Sequence, residues 1–175
     1  MVKYTAKNAT IITFLFFLTA LGYEILLSFF FPVQITPDIH DDAHGIPFSL
    51  RANLDITLDG YLNRQYPPFR IITNQKHFLS SEEISYSKPR NTIRVMVLGS
   101  SNFVGFGVNT KDNFTHYLED LFNKNIKTVN IEVINFSAVR FSPLQFYEFY
   151  KNEGYKYAPD LVLISKEENH FRVKY

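Results

Sequence analysis

The sequence contains no cysteine, and this absence excludes several kinds of protein at once. Without a thiol there is no disulfide, no thiolate-held metal and no cysteine nucleophile. An excess of charge of one sign is also missing, because the formal net charge of the 175 residues is +1. Such a chain lacks the basic surface that nucleic-acid binding needs, so we expect no nucleic-acid partner.

Charged residues are scarce along one N-terminal stretch. Between Ile11 and Phe31 the only formal charge is that of Glu24. Leu, Ile and Phe each favour the bilayer centre by about 0.3–0.6 kcal/mol, whereas an acidic residue costs about 3 kcal/mol there. Because the apolar residues outweigh the single charge, the pattern predicts a transmembrane helix over residues 9–33.

The flanking charges predict the orientation of this helix. Lys3 and Lys7 precede it, and acidic residues follow it from Asp38 onwards. Positive flanks stay on the cytoplasmic side, so we expect residues 1–8 in the cytoplasm and the rest of the chain in the periplasm or at the cell surface. A cleaved signal peptide with an Ala-Leu-Gly site at residues 20–22 is the alternative, although the apolar run continues beyond it.

The chain after the apolar stretch changes character twice. Residues 34–69 are polar and carry several prolines, which predicts a juxtamembrane linker with an irregular lead-in. A short edge strand is expected at Phe69–Thr73. Residues 70–175 are predicted to hold the folded domain, and within them the regular apolar patterns begin at Thr92.

Strand and helix patterns alternate in this domain. Apolar runs predict buried strands at Thr92–Leu98, Ile131–Ile134 and Asp160–Ile164. Between them, helical spacing predicts one helix over Asn113–Asn123, with Asp112 as its N-cap, and another that opens with a capping box at Ser142 and runs to about Glu153. This order with short connections predicts an α/β fold with a parallel sheet and helices on its faces.

Three segments follow the carboxyl ends of the predicted strands, where ligands bind in such sheets. They are Gly99–Gly107, Asn135–Ser142 and Ser165–His170. The first carries Ser100 and Ser101 on a tight strand-to-helix turn, where an exposed hydroxyl beside free backbone N–H groups suits a nucleophile. Capping of the turn by these serines is the structural alternative, and the glycine spacing fits neither common nucleotide-binding motif.

Taken in order, these segments resemble the three sequence blocks of the SGNH (GDSL-type) hydrolases. Val97–Val108 resembles the block in which Gly-Asp-Ser or Gly-Ser-Ser presents the nucleophile. Val133–Val139 resembles the second block, usually Asn-Ala-Gly, and Leu161–His170 the third, usually ending Gly-x-Asn-Asp. The resemblance implies a three-layer flavodoxin-like parallel sheet, incomplete at its C-terminus, and hydrolysis of esters or acetyl esters without a cofactor or a metal.

The resemblance also implies roles for individual residues. Ser101 matches the nucleophile, and its backbone N–H matches one oxyanion donor. Ser137 matches a glycine whose backbone N–H is a second donor, and Asn169 matches the donor that uses its side chain. Two neighbours depart from the family pattern, since Ser100 and His170 each stand where an Asp is common. The implied substrate is an acylated glycan or lipid.

The catalytic Asp-x-x-His block of the family is missing from the end of the sequence. Without a base a serine is a poor nucleophile, so we expect a truncated and catalytically incomplete hydrolase. The alternatives are a non-catalytic module that binds envelope polysaccharide or a partner protein, or part of a sugar O-acetyltransferase, some of which carry Asp-x-His ahead of the nucleophile. Asp38-Ile-His40 and Asp41-Asp-Ala-His44 spell such patterns, and metal binding by the two histidines is a further, weaker hypothesis.

Overall fold

A computed structural model describes residues 6–30, 38–59 and 66–165. The chain separates into two compact units, Met1–Ile35 and Thr36–Tyr175. The first unit contains helix α1, Ala6–Phe30. Within it Asn8–Phe30 is long and apolar enough to cross a membrane, with a mean hydropathy of 2.0, and a membrane anchor and a signal sequence share this property. The predicted end of the helix at Val33 lies outside the described residues.

The second unit is built on a three-stranded parallel sheet. Its strands are β5 (Thr92–Gly99), β6 (Asn130–Ser137) and β7 (Leu161–Ile164), in the order β6-β5-β7. Strands β5 and β6 stay in register from the Thr92–Asn130 pair to the Gly99–Ser137 pair. The prediction of a mixed α/β fold with a parallel sheet is therefore confirmed, and each predicted strand is present within a few residues of its expected bounds.

Helices connect the three strands, as the sequence pattern predicts. They are α2 (Ser101–Val104), α3 (Phe114–Asn125) and α4 (Pro143–Asn152), with 3-10 turns at Thr110–Asp112 and Gly154–Tyr157. The capping box of α4 is confirmed, because the Ser142 and Gln145 side chains each accept a hydrogen bond from the other's backbone N–H. The predicted N-cap of α3 is wrong by one residue. Asp112 belongs to the 3-10 turn, and Asn113 caps the helix by accepting from the Thr115 N–H.

Alternate side chains of β5 enter different apolar clusters. Met96 and Leu98 lie in the larger cluster, and Val95 and Val97 lie in the smaller one. Because successive side chains of a strand point to opposite faces, both faces of this strand are buried. Burial of this strand on both faces explains why residues 95–98 read as a continuous apolar run.

The expected irregular lead-in at residues 34–69 is a wrong prediction for the described part of that range. Strands β1 (His40–Ala43) and β2 (Ile46–Leu50) pair antiparallel, as do β3 (Asp55–Leu58) and β4 (Phe69–Ile72). Strand β4 confirms the short strand expected at Phe69–Thr73.

The sequence pattern does not predict the β1–β2 hairpin, because its residues do not alternate between apolar and polar. Strand β1 reads His-Asp-Asp-Ala, and β2 contains a proline. The two strands are joined by His44 and Gly45, which both have positive φ, as a two-residue primed turn requires. The apolar residues of the hairpin are nevertheless buried in the larger core cluster, so this segment belongs to the folded unit. Those residues are Ala43, Ile46 and Leu50.

Candidate functional site

The candidate site begins at the turn that follows β5. A Cβ atom placed on Gly99 would lie 2.3 Å from the Phe103 Cβ, so only glycine permits the chain to turn back this tightly. The Ser100 N–H donates to the Ser165 Oγ at 3.1 Å, and the Ala138 N–H donates to the Gly99 carbonyl at 3.1 Å. These two bonds bring the carboxyl ends of β5, β6 and β7 together at one edge of the sheet.

Ser101 is the first residue of α2 and is half-buried. Its carbonyl accepts from the Gly105 N–H at 3.3 Å, while its hydroxyl has no hydrogen-bond partner among the described residues. The N–H groups of Phe103 and Val104 donate to the Ser100 carbonyl, whereas those of Ser101 and Asn102, at the start of the turn, have no partner among the described residues. The structure therefore places a hydroxyl and nearby amide donors at the carboxyl edge of the sheet.

The neighbouring Ser100 is different in its surroundings. It is fully buried as the N-cap residue of α2, and its Oγ makes no hydrogen bond within the part of the chain that is described. Of the two adjacent serines, only Ser101 has an accessible hydroxyl. This contrast supplies a matched pair for testing the site by mutation.

Ser137 is buried and already engaged. Its Oγ donates to the Asn135 Oδ1 at 2.5 Å, and the Asn135 Nδ2 donates to the Phe103 carbonyl at 3.1 Å. Asn135 accepts from the Leu79 N–H on the outer side of β6, and the Ala138 N–H points to β5. Since backbone groups alternate in direction along a strand, the Ser137 N–H points to the outer side as well. The contacts of Ser137 give it a positioning role beneath α2, and its oxyanion role stays a prediction.

Asn169 and His170, the remaining residues of the predicted third block, lie outside the described residues. The histidines that are described do not hydrogen-bond to Ser101. The His40 Nδ1 lies 3.2 Å from the Phe48 carbonyl, and the His44 Nδ1 lies 3.8 Å from the Glu153 Oε2. Residues 38–59 and 66–165 contain no group of three or more ligands suited to a metal ion.

His44 belongs to a polar cluster at the end of α4. Glu153 is buried and accepts from the Tyr86 hydroxyl and from the Lys156 Nζ, the latter at 2.8 Å. Burial would raise the pKa of Glu153, but the hydrogen bonds from Lys156 and Tyr86 hold it below its usual value. Burial lowers the pKa of His44 despite the attraction of Glu153. This cluster has contacts of its own and none with Ser101.

A groove between the β1–β2 hairpin and α4 is a feature that the sequence does not predict. It has a volume of about 930 Å³, and its walls include the Phe48 ring and the Arg140 side chain. Both residues have positive φ, 64° for Phe48 and 63° for Arg140, which is uncommon for residues other than glycine. The His44-Gly45 turn is the one sequence signal that indicates the hairpin. No sequence pattern predicts the positive φ of Phe48 or of Arg140.

The described residues thus define a mixed α/β protein with a three-stranded parallel sheet, preceded by one apolar helix. No family model, curated protein or solved structure matches the chain.

Proposed function

We propose that this chain is a membrane-anchored serine hydrolase-like protein of the SGNH type, acting on esters or acetyl esters. The observation that supports the proposal is the turn after β5. There a required glycine places the accessible Ser101 hydroxyl at the carboxyl edge of a parallel sheet. Ligands bind at this edge in open α/β sheets. The SGNH form of the fold, with its three layers, is part of the proposal.

In the proposed reaction, the Ser101 Oγ attacks the acyl carbon of the ester and forms a tetrahedral oxyanion. The backbone N–H groups of Ser101 and Ser137, with the Asn169 side chain, are the donors that the sequence resemblance assigns to this oxyanion. The hydroxyl proton must go to a base, and no described side chain hydrogen-bonds to Ser101. We therefore propose that the isolated chain reacts slowly unless a base is added.

An active-site probe with an added base tests this proposal. The purified chain is treated with a fluorophosphonate probe, with and without imidazole, and the labelled peptide is identified by mass spectrometry. We expect weak labelling of Ser101 that imidazole accelerates, because imidazole can accept the hydroxyl proton. Ser101→Ala should abolish the labelling. Ser100→Ala is the matched control and should keep it, since the buried Ser100 Oγ has no described partner to lose.

Two results would contradict the proposal. One is labelling that persists in Ser101→Ala, which would place the reactive group elsewhere. The other is an absence of imidazole-dependent labelling in a wild-type chain whose cooperative thermal unfolding shows that it is folded. That result would favour a non-catalytic module built on the same sheet.

We further propose that α1 anchors the protein in a membrane, with its N-terminus in the cytoplasm. Its length and apolar composition support an anchor, and the flanking lysines support the orientation. The anchored chain should stay with membranes in alkaline carbonate, whereas a cleaved signal sequence would release the rest. Because the chain has no cysteine, Lys3→Cys and Lys124→Cys give clean sites for an impermeant thiol reagent. Only Lys124→Cys should react from outside.

A further inference from the structure

We propose that the groove between the β1–β2 hairpin and α4 binds a strand of polysaccharide. This inference does not depend on the reactivity of Ser101, since no residue of the groove belongs to the β5 turn. The groove adds a binding function beside the proposed chemistry, because Arg140 and Ser142 of its lining belong to the segment that follows β6.

Phe48 lines the groove with an uncommon backbone conformation and an exposed ring. The β1–β2 register contains a bulge, because two steps along β1, from Asp41 to Ala43, stand opposite three along β2, from Ser49 to Ile46. Phe48 lies in this bulge with a φ of 64° and with 63% of its surface exposed. A left-handed backbone is costly for a bulky residue, and exposing the ring leaves its apolar face in water. Bulges next to functional sites commonly redirect a side chain in this way.

The Phe48 ring is held in place by contacts within the hairpin. The His40 ring meets it edge to face, with 6.2 Å between the ring centroids, and the His40 Nδ1 lies 3.2 Å from the Phe48 carbonyl. A preorganised aromatic face loses little entropy when a ligand packs on it. The C–H groups on one side of a pyranose ring form a flat apolar surface of matching size, so a sugar ring can stack on Phe48.

Planar hydrogen-bonding groups also line the groove. They belong to Arg140, Glu148 and Asn152, and Arg140 has the second left-handed backbone. A guanidinium offers two donors side by side, a carboxylate two acceptors, and an amide one of each, so all three groups pair well with neighbouring hydroxyls. The Asn152 Nδ2 also donates to the Glu148 Oε2 at 3.4 Å, which holds these two side chains together. Gln145 fixes the spacing of the walls, since its Nε2 donates to the Pro47 carbonyl at 2.8 Å and its Oε1 accepts from the Ser142 N–H at 2.9 Å.

The composition of the groove favours a sugar over other ligands. The charges of Arg140 and Glu148 offset each other, which does not suit a phosphate backbone. Apolar residues such as Ile46 and Leu144 line the groove as well, but an acyl chain packed on them would take hydrogen bonds to water from the polar groups without replacing them. The volume of about 930 Å³ falls within the range of about 300–1,000 Å³ usual for ligand sites. A groove that combines an exposed aromatic ring with planar polar groups suits a ring that has apolar faces and hydroxyl groups at its edge.

Binding is measured on the full chain in a detergent without a sugar headgroup. The probes are cellohexaose, chitohexaose and maltohexaose, with a uridine hexanucleotide as the competing polymer. The chain has no tryptophan, so Phe48→Trp keeps an aromatic face and introduces a single fluorophore at the groove. We expect at least one hexasaccharide to bind and to shift the Trp emission to shorter wavelength.

Three variants decide between a binding role and a structural one. Phe48→Ala should weaken the affinity by at least about tenfold, equal to about 1.4 kcal/mol. Tyr117→Ala removes an equally exposed aromatic residue on α3 and should leave the affinity unchanged. Phe48→Gly should raise the Tm by relieving the strained backbone and should still lose binding. Ser101→Ala should bind normally, so failure of the hydrolase proposal can be recognised separately.

The proposal is overturned if none of the three hexasaccharides binds or if the hexanucleotide binds instead of them. It is also overturned if Phe48→Ala and Tyr117→Ala have the same affinity for the hexasaccharide.

Discussion

Adding one methyl group at Gly99 should displace the helix that carries Ser101. The new Cβ would lie 2.3 Å from the Phe103 Cβ and 2.4 Å from its Cγ. Carbon atoms pack at about 3.5–4.0 Å, so the two segments must separate by about 1 Å or more. A change of rotamer does not help, because the Phe103 Cβ is attached directly to the backbone of α2.

The cost follows from this geometry. Overpacking that forces a backbone shift costs about 1–3 kcal/mol, and the close approach at Gly99 places the change near the upper end. A chain of this size loses roughly 2–4 °C in Tm per kcal/mol, so Gly99→Ala should lower the Tm by roughly 5–10 °C. It should also slow probe labelling of Ser101, because the hydroxyl moves with α2.

Thermal unfolding followed by circular dichroism measures the effect. Gly22→Ala is the control and should change little, since nothing lies within 4 Å of a Cβ at that position. Phe103→Gly lowers the stability by itself, but Gly99→Ala should cost less in that background than in the wild type because the clashing Cβ is gone. In a Phe103→Ala background, which keeps the Cβ, the cost of Gly99→Ala should stay close to its wild-type value. The reasoning is refuted if Gly99→Ala unfolds within about 0.5 kcal/mol of the wild type, the range of a neutral surface change.

Two other predictions concern ionisable side chains. Because burial lowers the pKa of His44, the unfolded chain takes up that proton at higher pH than the folded one; the free energy of unfolding should therefore fall as the pH drops below about 6.5. His44→Asn, which tolerates the left-handed backbone, should flatten this slope in urea titrations, and an unchanged slope would exclude His44 as its cause. The Arg94 Nε donates to the Glu132 Oε2 at 2.6 Å from a fully buried side chain, so Glu132→Gln should cost about 3 kcal/mol, the lower end of the range for an unpaired buried charge. Replacing both residues by Met should recover most of that loss, and a double-mutant cycle showing independent effects would contradict the expectation.

The central sheet was accessible to sequence reasoning for a physical reason. Strand β5 is buried on both faces over Val95–Leu98, so this part of the strand is a continuous apolar run. Ser142-Pro143 predicts where helix α4 begins, because capping is a local interaction between residues close in the sequence. The sequence alone does not locate the N-cap of α3, because Asp112 and Asn113 are both good caps and the preceding 3-10 turn decides between them.

The hairpin and the groove were not accessible in the same way. Strand β1 pairs through backbone groups that any sequence has, and its charged side chains hide the pairing. The positive φ of Phe48 arises in a bulge, and that of Arg140 in a chain reversal after β6. The residues at these two positions are not ones that a sequence pattern associates with such a backbone. The Ser101 turn was recognised from its glycine and serines, while the buried contacts of Ser137 depend on its neighbour Asn135.

The hydrogen bond from Gln145 to Pro47 joins residues 98 positions apart in the sequence. Contacts this distant form late in folding, because the entropy of closing a long loop must be overcome before they contribute. The oxygen of the same amide completes the capping box at the start of α4. Gln145→Ala would therefore remove a local cap and a remote attachment together, whereas Gln145→Glu would keep the cap and lose the attachment. We expect the hairpin to detach by local opening while the parallel sheet stays closed, so that amide protons of residues 46–50 exchange with solvent sooner than those of β5.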